Sequence, residues 1–315
     1  MSSLRGRVLR AGMARATGLL GRAKTVREAQ AWASRGTRRP RLPRGVRLEW
    51  ADAGGVRCAW LHPRGEARGT LLYLHGGAWT LGWSALHFGL VARLVRQSQW
   101  RALMVDYRLA PDFPYPAALE DCLTAYRWLV DEGTPEGGIV IAGDSAGGHL
   151  TLTSLLALHG QRPWDGAGTA PIWAKLDGLA PPAAGICLSP VTDLTGSAPR
   201  SQGPVADAGL PLHTVALDPR HYIGNHDPAD PLISPVLGNL SSLPPLLIQA
   251  GGDEWLREDA ECFAGRALAA GADVTLQVFP GMWHVFQLLA PWLPEANRAL
   301  ESMAGFLGRV GQGRR

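Results

Sequence analysis

The run Ile139-Val140-Ile141-Ala142-Gly143-Asp144-Ser145-Ala146-Gly147-Gly148-His149-Leu150 decides how this 315-residue chain is read. A β-branched apolar stretch stops at a glycine, a serine follows two residues later, and Leu150 to Leu158 offers a helix-like apolar run. The pattern is strand, sharp turn, helix. Its G-x-S-x-G spacing allows a reversal tight enough to hold Ser145 above the sheet with Oγ free, because Gly143 and Gly147 carry no Cβ to collide with neighbouring backbone. In a chain with 39 glycines the five-residue pattern is weak alone, and an ordinary strand-to-helix connection explains it equally well. Its weight depends on what stands at the other strand ends.

Upstream, Thr70 to Leu74 is a continuous apolar strand that ends at His75-Gly76-Gly77-Ala78-Trp79. Adjacent glycines at the end of a buried strand weaken it, yet they let backbone N–H groups point into a cleft, where an oxyanion would be held. A helix from about Ser84 to Gln97 and a strand from Ala102 to Val105 lead to Asp106-Tyr107-Arg108-Leu109-Ala110-Pro111. Pro111, Pro114 and Pro116 forbid regular structure there, so polar contacts should lock the segment. Arg108 is expected to pair with a nearby acid such as Glu120, a structural role. Another helix runs from Pro116 or Ala117 through Val130.

Further out, Val46 to Trp50 and Val56 to Leu61 read as a hairpin about Asp52-Ala53-Gly54-Gly55. Downstream strands are expected at Ala184 to Leu188, Leu246 to Gln249 and Val274 to Phe279. One helix ends at Ala270 and the last spans about Glu295 to Leu307. Residues 159–183 read as a surface excursion, and no strand is expected from Ser189 to about Pro235. Strands alternating with helices imply an α/β fold with a mainly parallel sheet, an antiparallel start and helices on both faces.

An apolar content of 46% with 18% charged residues fits a packed globular core and excludes disorder for most of the chain. No apolar run reaches the roughly 18 residues of a membrane span, and no secretory signal is expected behind Arg5, Arg7 and Arg10. Cys58, Cys122, Cys187 and Cys262 form no C-x-x-C pair, which suits reduced, mostly buried thiols and a cytoplasmic location. His213, His221 and His226 lack metal-ligand spacing, so neither metal nor cofactor is expected. The net charge of +4 is uneven: residues 1–47 hold thirteen Lys and Arg against one acid, Glu28, whereas the remainder is acidic. Leu4, Val8, Leu9, Met13, Ala16, Leu20 and Ala23 recur at helical spacing in that arm. An amphipathic helix packing on the body is the simplest reading, ahead of a membrane-surface contact, with nucleic acid not expected.

A serine hydroxyl is nearly inert at neutral pH and needs a base, which in turn needs an acceptor that fixes its tautomer. Three strand ends supply these parts in chain order: Ser145, the pair Asp253-Glu254, and His284. That is the order of α/β-hydrolases, at the strand ends where open α/β sheets place their sites.

Together His75-Gly76-Gly77-Ala78-Trp79, Asp106-Tyr107-Arg108-Leu109-Ala110-Pro111, Gly143-Asp144-Ser145-Ala146-Gly147 and Met282-Trp283-His284-Val285-Phe286 resemble the hormone-sensitive-lipase-like esterases, especially their bacterial carboxylesterase branch. The resemblance runs from about Leu42 to the last helix. It implies an α/β-hydrolase fold with a helical lid and hydrolysis of short- to medium-chain carboxylic esters through an acyl-enzyme. It also implies oxyanion donors at the N–H groups of Gly76, Gly77 and Ala146. Ala78 stands where the family has a third glycine, which bears on the acyl pocket, with Trp79 and Trp83 as its expected walls. The family's Asp-Pro-Leu-Arg-Asp pattern, aligned on Leu256 and Arg257, puts Glu254 in the acid position, 30 residues before His284. Glu254 is preferred, and Asp253, shorter and one residue off register, is the alternative.

The expected division is a basic helical lid segment at 1–44, a first core part at 45–188, a lid insertion at 189–235 and a second core part at 236–315. The expected partner is a small ester, with a weak membrane-surface contact through 1–44 and a homodimer as further expectations. An amidase, lactonase or deacetylase would use the same triad, and a non-catalytic ligand-binding module is the alternative from another class.

Overall fold

β1 (Arg47–Asp52) and β2 (Arg57–His62) form the antiparallel hairpin, with Arg47 opposite His62. β2 pairs antiparallel with β4 (Arg101–Val105), and the remaining pairings are parallel: β3 (Thr70–Leu74) with β4 and β5 (Ile139–Asp144), then β6 (Ala184–Leu188), β7 (Leu246–Gly251) and β8 (Val274–Phe279). The single eight-stranded sheet has the order β1-β2-β4-β3-β5-β6-β7-β8. The computed structural model describes residues 3–33, 40, 42–135, 137–164, 166, 171–197, 207–208 and 214–312.

Every residue of β3, β5, β6 and β7 is buried, which is why these strands read as unbroken apolar runs rather than alternating ones. Successive side chains nevertheless go to opposite faces. Leu72, Leu74, Ile139 and Ile141 join the core under α4 (Ala117–Asp131), α5 (Ala146–Leu158) and α7 (Arg257–Ala269). Leu71, Tyr73, Val140 and Ala142 join the opposite core under α3 (Ala85–Ser98) and α8 (Pro294–Gln312). α5 is buried from Ala146 to Ala157, so it begins four residues before the apolar run at Leu150 that signals it in sequence.

The registers bring the working loops to one rim. Leu74 stands beside Gly143, Asp144 beside Leu188, and Gly251 beside Phe279. The segments after β3, β5, β6, β7 and β8 therefore leave the sheet together.

The N-terminal helices α1 (Leu4–Leu20) and α2 (Val26–Ala33) lie against this body. Leu9 and Met13 of α1 pack half-buried on the α3/α8 side, and Ala23 meets Ala29, Leu81 and Ala216. The amphipathic expectation fails at Val8, which is 69% exposed; the side chains of Leu4, Ala16 and Leu20 lie outside the described residues. Polar ties add to this packing of α1. Glu295 accepts from the Ser3 N–H (2.9 Å) and Oγ (3.1 Å), Arg10 donates to Asp253 (2.7 Å), and Thr17 Oγ1 donates to the Ala208 carbonyl (3.1 Å).

In the proline-rich segment Arg108 pairs with Glu120 (3.4 Å) and, more closely, with Asp121 (Nε to Oδ1 2.9 Å); Glu120 also accepts from Trp173. The two acids are neighbours on α4, and Asp121 also accepts the Arg108 N–H (2.7 Å), a bond that fixes backbone and side chain together. Among the described residues between β6 and β7 there is no strand, only the short α6 (Arg220–Ile223) and single 3-10 turns. His221 donates to the Val215 carbonyl (3.2 Å), His226 lies edge-on to Tyr115, and His213 is outside the described residues. No described helix is long and apolar enough to cross a membrane. All four cysteines are unpaired, with Cys262 exposed.

Candidate active site

Ser145 sits at the turn between β5 and α5 with φ 54° and ψ −117°, a backbone state costing on the order of 1–3 kcal/mol for a residue with a Cβ. The surroundings enforce it. A Cβ at Gly143 would strike the Gly147 and Leu74 carbonyl oxygens, and one at Gly147 would strike those of Leu74 and His75. The Ser145 N–H donates to the Leu188 carbonyl (2.8 Å), while its own carbonyl accepts the His149 N–H (2.9 Å) and starts α5. Its hydroxyl thus stands at a helix N-terminus, where developing negative charge is favoured.

His284 Nε2 lies 2.9 Å from Ser145 Oγ. On the far side of the ring, Nδ1 is 3.6 Å from Glu254 Oε2, an ion-pair separation longer than an ordinary hydrogen bond. The two candidate carboxylates are sharply distinguished. The Glu254 side chain is 0% exposed beside the imidazole, whereas that of Asp253 is 40% exposed and bonded to Arg10 of α1. Burial works to lower the His284 pKa, and the facing carboxylates of Glu254, Asp207 and Asp144 outweigh it, leaving the imidazole above its ordinary value of 6.5.

Two residues that the sequence reading did not single out hold this pair. Ser189, at φ 48° just past β6, donates from Oγ to Glu254 Oε2 (2.6 Å) and accepts the Val285 N–H (3.2 Å). Its signal in sequence is positional: a serine directly after a buried strand, at the same rim. Asp207 accepts the His284 N–H (3.1 Å) on Oδ1 and the Trp255 N–H (3.1 Å) on Oδ2; nothing in the Gly- and Pro-rich insertion marks it.

The loop after β3 is pressed against the turn at Ser145, since a Cβ at Gly76 would collide with Asp144. His75 Nδ1 lies 2.8 Å from the Gly76 carbonyl, which can only accept, so Nδ1 carries the proton. Burial pushes the His75 pKa down to about 3, keeping the ring neutral. Holding the Gly76 carbonyl also aims the Gly77 N–H, because the two point opposite ways across one planar trans peptide. Tyr107 stacks on His75 at 4.2 Å and donates to its carbonyl (2.6 Å), and the Ala110 N–H donates to Trp79 (2.9 Å). The Asp106-to-Pro111 segment is thus a brace for the glycine loop. Ala146 is the first residue of α5, where a backbone N–H has no intrahelical acceptor. The amides of Gly76, Gly77 and Ala146 all belong to segments packed around Ser145.

Beneath the serine, Asp144 accepts from the Tyr73 hydroxyl (2.7 Å) and faces His87 Nε2 (3.3 Å). Burial works to raise its carboxyl pKa; His87 and Tyr73 outweigh it and hold the group below the usual carboxylate value. Trp79 is a correction to the expected pocket walls. Its ring is 3% exposed, stacked on Tyr222 at 4.5 Å and donating to His149 (3.3 Å), which closes it into the core. Trp83 lies beside His75 and helps line a cleft of about 610 Å³ with Leu109, Phe113 and Gln30.

Residues 71–288 match the family model described as the alpha/beta hydrolase fold. The chain belongs to that family. This α/β-hydrolase is 38% identical to an acetyl-hydrolase of Streptomyces hygroscopicus over 81% of its length and 80% of the relative's. To an esterase of Acinetobacter venetianus it is 32% identical, over 83% of this chain and 82% of that one. Among solved structures, a mutant of the esterase E40 superposes with a TM-score of 0.86 at 33% identity, covering 98% of this α/β-hydrolase and 99% of that chain. An esterase from the bacterial hormone-sensitive lipase family superposes with a TM-score of 0.84 at 32% identity and the same coverage. The α/β-hydrolase described here thus falls in the bacterial hormone-sensitive-lipase-like branch.

Proposed function

We propose that this α/β-hydrolase is a serine carboxylesterase acting on short- to medium-chain carboxylic esters through an acyl-enzyme. The observation that carries the reading is the 2.9 Å approach of His284 Nε2 to Ser145 Oγ at the turn after β5, because a serine becomes nucleophilic only when a base can take its proton. Ser145 Oγ attacks the ester carbonyl carbon as its proton passes to His284 Nε2. The carbonyl oxygen, now an anion, takes hydrogen bonds from the N–H groups of Gly76, Gly77 and Ala146. Collapse expels the alkoxide, which leaves as the alcohol with the proton from His284. Water then repeats the sequence on the acyl-enzyme, releasing the acid and restoring the serine. Glu254 holds the imidazole in the Nδ1–H tautomer and stabilises its cation. Each oxyanion donor contributes roughly 3 kcal/mol by analogy with measured cases.

Residues 1–44 and 189–235 are proposed as the two parts of a lid over the core parts 45–188 and 236–315. The bonds from α1 to Asp253 and Ala208 support this. Trp83 is proposed as a substrate contact at the mouth of its cleft, and the acetyl-hydrolase name of one relative favours small acyl groups. The surplus of arginine in 1–44 fits a weak contact with anionic membrane surfaces; a homodimer and a cytoplasmic location complete the proposal.

A fluorophosphonate probe tests the reading directly. It should label the folded protein at Ser145 as located by peptide mass, and the labelled enzyme should lose turnover of p-nitrophenyl butyrate in proportion. Turnover that survives full labelling would refute the assignment. The pH profile is a second test. His284 must be neutral to act as base, and its pKa is raised in the folded enzyme. The acid limb of kcat/KM, which reports the free enzyme, should therefore have its midpoint above 6.5; a midpoint well below that would contradict the electrostatics described.

A further inference from the structure

His284 and Glu254 stand on separate loops, after β8 and β7, and the last ladder pair between those strands, Gly251 with Phe279, lies short of both. Catalysis needs the two side chains aligned to a fraction of an ångström, so something beyond the sheet has to hold one loop against the other. Some of that closure is backbone. The Gly252 N–H donates to Phe279 (2.8 Å) and the Asp253 N–H to Met282 (2.8 Å), and Gly251 lies so close to the Met282 and Trp283 carbonyls that a Cβ would not fit. Ser189 then joins Glu254 to Val285.

The closing pair of bonds comes from outside the core. We propose that Asp207, from the insertion between β6 and β7, is a positioning residue for His284: its carboxylate ties the backbone of the base to the backbone that follows the acid. Oδ1 takes the His284 N–H and Oδ2 the Trp255 N–H, each at 3.1 Å, and the residue is buried. An ionised carboxylate suits this place because it is acceptor-only on both oxygens. Asparagine would match one N–H and set its own NH2 against the other. The next residue, Ala208, is buried and accepts from Thr17 of α1, so the same dipeptide links the N-terminal helix to the base. The inference rests on His284 being the base of the proposed esterase.

Asp207 also acts through charge. Among the described residues, the ionisable groups facing His284 are Glu254 from the loop after β7, Asp144 from the end of β5 and Asp207 from the insertion; α1 contributes Arg10, already paired with Asp253. All three facing groups are carboxylates, and each favours the imidazolium that forms as Ser145 attacks.

Asp207→Asn and Asp207→Glu separate positioning from bulk structure. Both are assayed with p-nitrophenyl butyrate across pH, with active sites counted by fluorophosphonate titration. Asp207→Asn should lower kcat about tenfold with KM within about twofold, and move the acid limb of kcat/KM to lower pH because one of the three facing charges is gone. Asp207→Glu, which keeps the charge, should leave that limb near its wild-type position. A wild-type kcat and an unmoved limb in Asp207→Asn would overturn the inference. So would loss of the cooperative fold in both variants, which would make Asp207 a folding determinant. If Ser145→Ala keeps full activity, it is the esterase reading that fails; if wild-type activity requires Ser145 while Asp207→Asn behaves as wild type, the positioning role alone fails.

Discussion

Ser145→Ala lowers kcat for p-nitrophenyl butyrate by about a million-fold and leaves the circular dichroism spectrum of the folded protein unchanged. The size follows from the way linked groups act: removing the nucleophile of a serine hydrolase costs nearly as much as removing the whole triad, and what survives over water comes from oxyanion donors and binding. The fold should persist because alanine adds no atoms, and the positive φ at this turn is imposed by contacts the substitution leaves in place, the Ser145 N–H to the Leu188 carbonyl and the close passage of Gly147 under Leu74. Steady-state kinetics on protein purified away from host esterases checks it. Retained turnover above about one-thousandth of wild type would mean that some other group carries the reaction.

Glu254→Gln should reduce kcat about ten-thousand-fold, whereas Asp253→Asn should stay within about twofold of wild type. The first figure reflects the cost of presenting the base in the wrong tautomer when the orienting carboxylate becomes an amide. Glutamine at 254 would keep its length, but the group facing Nδ1 would no longer be an anion able to stabilise the imidazolium. Asp253, with its side chain 40% exposed and its partner Arg10 on the surface helix, has a bond of the kind worth less than about 1 kcal/mol, and its carboxylate does not face the ring. Parallel kinetics of the two variants decide between them, and the reverse ranking would move the acid role to Asp253.

Much of this was legible in the chain because the relevant signals are local. The unbroken apolar strands, the glycines flanking Ser145 and the pairing of HGG with GDSAG each follow from short-range sterics that a sequence displays directly. The choice between Asp253 and Glu254 needed a register against a known pattern, since both carboxylates stand at the same strand end and only the third dimension turns one inward. Trp79 misled because an aromatic ring beside a glycine loop can face a cleft or a core; Tyr222 and His149, some 70 to 140 residues away, close it in. Arg108 reaches both Glu120 and its neighbour Asp121 on α4, and the second, closer partner had no separate signal in the sequence. Ser189 had only its position after a buried strand to mark it, and Asp207 had nothing: both act by hydrogen bonds to distant segments, Ser189 to the Glu254 carboxylate and the Val285 N–H, Asp207 to two main-chain N–H groups, and such contacts have no periodicity to announce them.

The loop of His75, Gly76 and Gly77 has a further implication. Its proposed contribution to the reaction is made of peptide groups, and no codon change other than one to proline deletes a peptide N–H. A side chain at Gly76 would collide with Asp144 and one at Gly77 with the Leu81 carbonyl, so substitution displaces these donors without deleting them. Side-chain substitution in this loop therefore acts on where those donors stand, not on whether they exist.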